Sequence, residues 1–363
     1  QAHRTIYSTI PYIANCMQFR RMSTISLDPR LNLQAIKNPP NQHGVVLEEI
    51  EGLLRVHKDG NIERPPIIPT VPSTLALPHG VTAKDVVIDK FTNLWARIYI
   101  PSHPGNLPVL VYFHGGGFCV GSAAWSCYHD FLANLACKAS CVIISVNYRL
   151  APENRLPAAY DDGFKTLMWV KQQALSEPSE QRWWLSRCSL PSLFIVGDSA
   201  GANIAYNVTT QLVSRDPSSL RPLSLKGTIL IQPFFGGEAR TWSEKYATQP
   251  PTSALTLSNS DVYWRLALPL GANKDHPWCN PLANGVTKLR NLRLPAIMVC
   301  ISELDILKDR NLEVCNALSS LGKRVETRMY KGVGHAFQVM QNSQLSYSRT
   351  QDLISHIKGF INQ

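Results

Sequence analysis

The chain has 363 residues, of which 44% are hydrophobic and 17% charged, so we expect most of it to fold around an apolar core and not to be disordered. No run of about 18 apolar residues occurs, and we therefore expect no membrane-spanning helix. The net charge is +10, but the longest runs of consecutive basic residues are the pairs Arg20-Arg21 and Lys323-Arg324. Because the basic residues are dispersed, we expect no nucleic-acid partner.

Residues 1–45 carry no clear strand or helix pattern, and a proline-containing stretch, Asn38-Pro-Pro-Asn41, lies near their end. Residues 1–27 contain three arginines and no acidic residue, which is loosely similar to an organellar transit peptide. We predict that residues 1–50 form an N-terminal lead, with a lid and a targeting segment as open alternatives. Met22 is a candidate start, so the sequence leaves open whether residues 1–21 belong to the native protein.

The region after the lead alternates between short apolar runs and amphipathic segments. Runs bounded by Gly and Pro predict strands, and apolar residues at helical spacing predict helices. The predicted strands are 53–56, 84–89, 94–100, 109–113, 141–147, 193–196, 228–232, 296–301 and 325–330, and the predicted helices are 131–138, 158–173, 200–213, 311–321 and 345–361.

This alternation predicts an α/β fold with a mainly parallel central sheet that is covered by helices on both faces. The first strands resemble an antiparallel edge. Residues 234–290 interrupt the pattern with three tryptophans and several prolines, and we interpret them as a cap insertion. We therefore predict one catalytic domain, 51–363, after the lead.

A serine lies between two glycines directly after one of the buried strands, in Gly197-Asp-Ser-Ala-Gly201. A strand, this motif and a helix in succession are typical of a nucleophile elbow, in which the serine occupies a sharp turn. The flanking glycines leave room beside that turn. We predict that Ser199 is a nucleophile and that the helix N-terminus behind it faces developing negative charge.

A second glycine-rich motif, His114-Gly-Gly-Gly-Phe118, follows strand 109–113. Acyl transfer forms an oxyanion that needs preorganised N–H donors, and glycines let backbone amides approach it closely. We predict that the amides of Gly115, Gly116 and Gly117, with the amide of Ala200, form an oxyanion hole. The strongest candidates in the loop are Gly116 and Gly117.

A serine nucleophile needs a base, and the base needs a carboxylate that orients it. His335 follows strand 325–330, and Asp305 follows strand 296–301. Both therefore fall at C-terminal strand ends, where open α/β sheets place their sites. We predict a triad of Ser199, Asp305 and His335. Two other carboxylates, those of Glu303 and Asp309, are the competing candidates for the acid.

Three neighbours of these motifs are predicted to bind substrate: Phe118, Cys119 and Asp198. Cys119 lacks an elbow of its own, so we interpret it as a pocket residue and not as a nucleophile. The chemistry requires no metal and no organic cofactor. The nine cysteines are odd in number and form no Cys-x-x-Cys pair, which indicates reduced thiols and a cytoplasmic location; a nuclear location and organellar targeting by residues 1–27 stay open.

The sequences of these motifs, and their order along the chain, resemble those of a known protein family over residues 50–362. Besides the glycine-rich and elbow motifs, the matching pieces are Tyr148-Arg-Leu-Ala-Pro-Glu153, Asp305-Ile-Leu-Lys-Asp-Arg-Asn311 and Gly334-His-Ala-Phe337. The chain resembles the hormone-sensitive-lipase-like branch of the α/β-hydrolases, and especially the plant carboxylesterases that are related to the gibberellin receptor.

The resemblance implies an α/β-hydrolase fold with an N-terminal lid from residues before about 70, and a cofactor-free serine carboxylesterase acting on a small-molecule ester. A hormone-like binding protein and a lyase or cyclase are the alternatives, because the receptor, hydroxyisoflavanone dehydratases and alkaloid cyclases resemble the same family. The receptor lacks the catalytic histidine, whereas His335 is present here. Both a monomer and a homodimer remain open.

Overall fold

The computed structural model describes residues 44–77, 80–177, 183–215, 217–249 and 253–363. The strands in this part of the chain are β1 (Val46–Ile50), β2 (Leu54–His57), β3 (Ile62–Glu63), β4 (Val81–Asp89), β5 (Leu94–Pro101), β6 (Leu107–Phe113), β7 (Val142–Asn147), β8 (Cys188–Asp198), β9 (Leu225–Ile231), β10 (Ala296–Ser302) and β11 (Val325–Tyr330). The predicted strands are all present, and β1 and β3 are additional.

The central sheet contains eight strands of the described chain in the order β11-β10-β9-β8-β6-β7-β5-β4. Pairing is parallel from β11 to β7, whereas β5 pairs antiparallel with both β7 and β4. The mainly parallel sheet and its antiparallel edge are therefore confirmed. Since parallel strands run in one direction, the ends of β6, β8, β10 and β11 lie at one edge of the sheet.

The helices in the described residues are α1 (Ser126–Ala139), α2 (Ala158–Leu175), α3 (Ala200–Val213), α4 (Trp242–Tyr246), α5 (Leu257–Ala267), α6 (Thr287–Arg290), α7 (Lys308–Ser320), α8 (Phe337–Met340) and α9 (Gln344–Ile361). Side chains of α1 and α9 belong to one buried cluster, and side chains of α2, α3 and α7 belong to a second.

Strand β6 explains why both faces are apolar. Val109, Val111 and Phe113 point into the second cluster, and Leu110 and Tyr112 point into the first. Successive side chains of a strand face opposite sides of the sheet, so a strand that is buried on both sides is apolar throughout. The sequence of β6 is therefore apolar throughout and does not alternate between apolar and polar residues, as expected for a central strand of a sheet that is covered on both faces.

The start of the folded body lies earlier than predicted. Strand β1 pairs antiparallel with β2, and the compact unit begins at Val45. The predicted boundary between residues 50 and 51 falls inside this hairpin and is wrong, because the backbone hydrogen bonds of β1 are made with β2. The targeting segment and most of the predicted lid lie in residues 1–43, outside the described residues.

The predicted insertion at 234–290 contains the short helices α4, α5 and α6. Helix α4 begins with a capping box, in which Thr241 and Glu244 satisfy each other's backbone amides. A buried ion pair between Glu244 and Arg310 attaches α4 to α7, with a distance of 3.0 Å between Oε2 and Nη2. The insertion is thereby fixed beside the helix that follows Asp305.

No helix in the described part of the chain is both long enough and apolar enough to cross a membrane.

Candidate active site

Ser199 occupies the turn between β8 and α3 with φ 53° and ψ −119°, a backbone conformation that non-glycine residues rarely adopt. Such a conformation costs about 1–3 kcal/mol and is found mainly at functional sites. The turn is fixed by two backbone bonds, from the Ser199 amide to the Ile231 carbonyl (2.8 Å) and from the Phe234 amide to the Ser199 carbonyl (3.0 Å). The geometry is that of the predicted elbow.

The helix behind the elbow packs very close to the sheet, which explains the glycine at 201. A Cβ atom at Gly201 would lie 1.9 Å from the carbonyl oxygen of Phe113. Ser199 is also the N-cap residue of α3, yet its side chain accepts no hydrogen bond from the helix. Serine at this position usually caps a helix, so the hydroxyl has been committed to another partner.

That partner is His335. The distance from His335 Nε2 to Ser199 Oγ is 2.8 Å, and the distance from His335 Nδ1 to Asp305 Oδ2 is 2.7 Å. The carboxylate keeps a proton on Nδ1, so Nε2 is left as an acceptor for the serine proton. Asp305 is oriented in turn by the Leu307 amide, which donates to its Oδ1 at 3.0 Å.

The two competing carboxylates are committed elsewhere. Glu303 Oε2 accepts the amide of Gly332 at 2.8 Å, in the turn that precedes the histidine. Asp309 Oδ2 accepts the amide of Ser243 at 2.6 Å, at the first turn of α4. Only Asp305, of the three carboxylates considered, meets the histidine.

Gln232 supports the histidine loop and was missed by the sequence analysis. This fully buried residue follows β9, and its Oε1 accepts the amide of Ala336 at 2.7 Å while its Nε2 donates to Ser302 Oγ at 2.7 Å. It therefore connects the ends of β9 and β10 to the residue after His335. A polar side chain at the end of an apolar strand was the available signal.

The glycine-rich loop contains three successive positive φ angles, at Gly116 (117°), Gly117 (58°) and Phe118 (66°). A Cβ atom at Gly116 would lie 2.1 Å from the Val120 carbonyl oxygen. Within the described chain, the amides of Gly116, Gly117 and Ala200 donate to no protein acceptor. These three amides are free to bind a substrate oxygen.

Gly115 departs from the prediction. Its amide donates to the hydroxyl of Tyr128 at 2.7 Å, and that hydroxyl donates to Asp198 Oδ2 at 2.9 Å. The prediction that Gly115 supplies an oxyanion donor is therefore wrong, because this N–H already has a buried acceptor. Tyr128, on α1, was not found from the sequence, since nothing in the local pattern links it to residues 115 and 198.

Asp198 is buried next to the elbow, and its carboxylate contacts other side chains of the protein. It accepts hydrogen bonds from Tyr112 (2.7 Å) and Tyr128, and Gln338 Nε2 lies 3.3 Å from its Oδ2. Burial raises the pKa of Asp198 to about 6, against the lowering effect of the two tyrosine hydroxyls. The hydrogen-bonding capacity of its carboxylate is therefore used by other side chains of the protein.

The other two predicted substrate residues are also interior. Phe118 and Asp198 are 1% exposed and Cys119 is fully buried. Phe118 packs on Tyr160 and Trp264, and burial raises the pKa of the Cys119 thiol, which keeps it protonated. The prediction that these three side chains contact substrate does not fit this arrangement. They pack in the protein interior, where they support the loop and the elbow.

His114 is a buried neutral histidine. It stacks on Tyr148 with ring centroids 4.3 Å apart, and its Nδ1 lies 2.8 Å from the Gly115 carbonyl oxygen. Its Nε2 has no hydrogen-bond partner among the described residues. Burial lowers the pKa of His114 to about 4, because a proton on Nε2 would be buried without an acceptor.

This histidine should make the protein less stable in mild acid. The unfolded chain binds a proton at His114 near pH 6.5 and the folded chain only near pH 4, so the free energy of unfolding falls as the pH drops between those values, by up to about 3 kcal/mol. In urea unfolding at several pH values, His114→Asn should reduce this slope, and the part that remains includes His129, whose pKa burial also lowers to about 4. The same substitution at the exposed His103 is the control for the exchange of side chain itself.

Known proteins resemble both the fold and the motifs. A family profile described as the alpha/beta hydrolase fold matches residues 110–339. Probable carboxylesterase 6 of Arabidopsis thaliana is 46% identical over 329 residues, which cover 89% of this chain and 94% of that protein. The gibberellin receptor GID1C of the same plant is 32% identical and covers 80% of this chain and 84% of the receptor.

Among solved structures, an esterase of Pyrobaculum calidifontis matches with a TM-score of 0.62 at 25% identity, over 76% of this chain and 84% of its own. The chain therefore belongs to the α/β-hydrolase fold family. Within that family it belongs to the group of plant carboxylesterases and their relatives, which includes the gibberellin receptor.

Proposed function

We propose that this chain is a serine carboxylesterase that hydrolyses small carboxylic esters through an acyl-enzyme on Ser199. Its family and its carboxylesterase relatives make it a carboxylic ester hydrolase. The observation that carries the mechanism is the pair of hydrogen bonds from Ser199 to His335 (2.8 Å) and from His335 to Asp305 (2.7 Å).

In the acylation step, Ser199 Oγ attacks the ester carbonyl carbon while His335 Nε2 takes the serine proton. The carbonyl oxygen becomes an oxyanion, which the free amides of Gly116, Gly117 and Ala200 stabilise. The tetrahedral intermediate collapses when the alkoxide leaves and takes the proton from His335. Asp305 stabilises the imidazolium that forms between these events.

Deacylation uses the same groups with water as the nucleophile. Water transfers a proton to His335 Nε2 as it attacks the acyl carbon, and the second tetrahedral intermediate collapses with return of that proton to Ser199 Oγ. The products are one carboxylic acid and one alcohol for each ester and water consumed. No step transfers an electron, so the proposal requires no redox cofactor.

The low exposure of Ser199 and His335 supports a preference for small esters. Ser199 is 6% exposed and His335 is 7% exposed, so only a small part of each residue is open to a substrate in this conformation. Phe118, Phe234 and Trp264 form an aromatic cluster beside the loop, with Phe234 stacked on Trp264 at 4.7 Å. All three side chains are buried, so this cluster supports the loop from the protein interior and does not contact substrate.

Buried cysteines support the proposed reducing, cytoplasmic location. In the described residues, six cysteines are buried: Cys119, Cys141, Cys188, Cys279, Cys300 and Cys315. Burial raises the pKa of Cys188 and of Cys300 to about 12, so both thiols stay protonated and unreactive. We propose a protein with structural thiols that works as a monomer or a homodimer.

The test is product analysis with phenyl acetate. The wild type should release acetate and phenol in equal amounts over many turnovers, whereas Ser199→Ala should release both at least about 10⁴-fold more slowly. A binding protein of the receptor type would bind the ester without turnover, and a lyase would produce no acetate from it. Either of those results would contradict the proposed function.

A further inference from the structure

The glycine-rich loop depends on outside support, because three successive residues have positive φ angles. Tyr148 donates its hydroxyl proton to the His114 carbonyl at 2.8 Å, and the Ala151 amide donates to the Phe118 carbonyl at 2.9 Å. These contacts hold the two ends of residues 114–118. The segment that continues from Phe118, through Cys119, is held by a side chain from a different part of the molecule.

That side chain is Arg64, which follows strand β3. Its Nε donates to the Cys119 carbonyl at 2.7 Å, and its Nη2 donates to the Ala151 carbonyl at 2.9 Å. Both carbonyls flank the contact between the loop and residue 151. One planar guanidinium thus bridges the two backbone segments whose separation sets the position of the loop.

Glu153 fixes the orientation of this guanidinium. Its two carboxylate oxygens accept from Arg64 Nη1 and Nη2 at 2.7 and 2.6 Å, in the bidentate geometry that is specific for arginine. Burial would raise the pKa of Glu153, but the hydrogen bonds from Arg64 outweigh it and the pKa is lowered. The Glu153 carboxylate is therefore ionised at neutral pH and paired with Arg64.

The ion pair itself adds little to stability. The side chains of Arg64 and Glu153 are 26% and 42% exposed, and pairs this open to solvent contribute about 0–1 kcal/mol. The two hydrogen bonds to backbone carbonyls are only partly exposed. The arrangement is thus better suited to fixing a geometry than to stabilising the fold.

The chain beyond Arg64 runs beside the segment that follows the loop. The Val71 amide donates to the Ala124 carbonyl at 2.8 Å, the Ser126 amide donates to the Pro69 carbonyl at 2.9 Å, and Thr70 forms a β-bridge with Trp125. Residues 69–71 therefore pair with residues 124–126 in an antiparallel bridge, a few residues beyond the contact of Arg64 with Cys119. The position of Arg64 therefore depends on this contact between residues 69–71 and residues 124–126.

We propose that Arg64 is a positioning residue for the oxyanion loop, through which the N-terminal part of the folded body sets the rate of acyl transfer. The inference rests on the proposed function, since it assumes that the amides of Gly116 and Gly117 bind the oxyanion. Arg64 acts through the Cys119 and Ala151 carbonyls and touches no reacting atom. Its loss lets the loop relax and moves two donors away from the oxyanion position.

The experiment compares steady-state kinetics of Arg64→Met, Arg64→Lys and wild type. Misplacing a catalytic donor by about 1 Å can cost about 100-fold in rate, so Arg64→Met should lower kcat by at least about tenfold, with KM nearly unchanged. Lysine can reach one carbonyl but cannot form the bidentate pair, so Arg64→Lys should lie between the two.

A matched control separates positioning from a general structural role. Arg265 on α5 forms a second bidentate arginine–glutamate pair with the N-terminal part of the body, at 2.9 and 2.8 Å from Glu48. It makes no contact with the loop among the described residues. Arg265→Met thus removes a comparable arginine–glutamate pair away from the loop and should keep the wild-type kcat, and thermal unfolding of both variants measures the stability that each substitution costs.

A second readout reports on the oxyanion hole alone. An aryl thionoester carries sulfur in place of the carbonyl oxygen, and sulfur is a weaker acceptor for the loop amides. The ratio of kcat/KM for the ester to that for its thionoester should fall in Arg64→Met and stay constant in Arg265→Met. A wild-type kcat and ratio in Arg64→Met, or equal losses in both variants, would overturn the proposal.

The failure of this proposal can be distinguished from the failure of the proposed function. If the wild type hydrolyses no ester, the proposed function fails and the kinetic comparison has no reference. If the wild type is active and loses activity on Ser199→Ala, the function stands, and only the behaviour of Arg64→Met decides whether the loop is positioned by Arg64.

Discussion

Replacement of Ser199 by alanine should lower kcat for an aryl ester by about 10⁴- to 10⁶-fold. The acylation step needs the oxygen that accepts the acyl group, and neither His335 nor the loop amides supply a substitute. Alanine keeps the Cβ atom and therefore the strained backbone at φ 53°, so the thermal unfolding midpoint should stay close to that of the wild type. Initial rates and circular-dichroism melting curves measure both quantities.

Ser145→Ala is the matched control for this substitution. Ser145 is fully buried in β7, and its hydroxyl has no hydrogen-bond partner in the described residues. Removing that hydroxyl should leave kcat unchanged. Activity of Ser199→Ala within a factor of about 100 of the wild type would contradict the assignment of the nucleophile, since a triad member contributes far more than that.

Replacement of Asp305 by asparagine should lower kcat by about 10⁴-fold at neutral pH. The carboxylate accepts the Nδ1 proton of His335 at 2.7 Å and so leaves Nε2 free to accept from Ser199. An asparagine amide can donate to Nδ1 instead, and the proton then resides on Nε2. Such a histidine cannot take the serine proton, although the packing around it is nearly unchanged.

Asp309→Asn is the control for charge and proximity. Asp309 lies in the first turn of α7, the helix that follows Asp305, but it accepts the Ser243 amide, 66 residues away in sequence, and does not bond to the histidine. Its replacement should affect the attachment of α4 and have little effect on kcat. If Asp309→Asn lost as much activity as Asp305→Asn, the orienting carboxylate would have to be reassigned.

The candidate triad could be predicted from the sequence because each member follows its own strand. Ser199, Asp305 and His335 come after β8, β10 and β11, and parallel strands bring their carboxyl ends to one edge of the sheet. The motif chemistry then selects the residue types. Local pattern and global topology agree here, so the prediction needed no knowledge of long-range contacts.

The supporting residues could not be predicted in this way. Tyr128 reaches Asp198 across 70 positions of sequence, and Arg64 reaches Cys119 across 55. No local periodicity encodes such pairs, because they depend on how α1 and the N-terminal segment pack on the body. For the same reason the sequence analysis counted Gly115 among the oxyanion donors, although Tyr128 binds its amide.

Helix α1 illustrates how tertiary contacts override local preference. The apolar pattern predicts a helix from residue 131, yet the helix begins at Ser126. Its first turn contains Tyr128 and His129, which are poor helix formers but are both buried, and Tyr128 bonds to the Gly115 amide. The early start is stabilised by those contacts and not by propensity.

The central claim is that Ser199 is the nucleophile, and covalent labelling tests it most directly. A fluorophosphonate transfers its phosphonyl group to an activated serine hydroxyl and releases fluoride. Peptide mass spectrometry of the labelled wild type should locate one adduct per chain at Ser199, with hydrolysis lost in proportion to labelling. An adduct at another residue, or an unlabelled chain that keeps hydrolysing esters, would contradict the account.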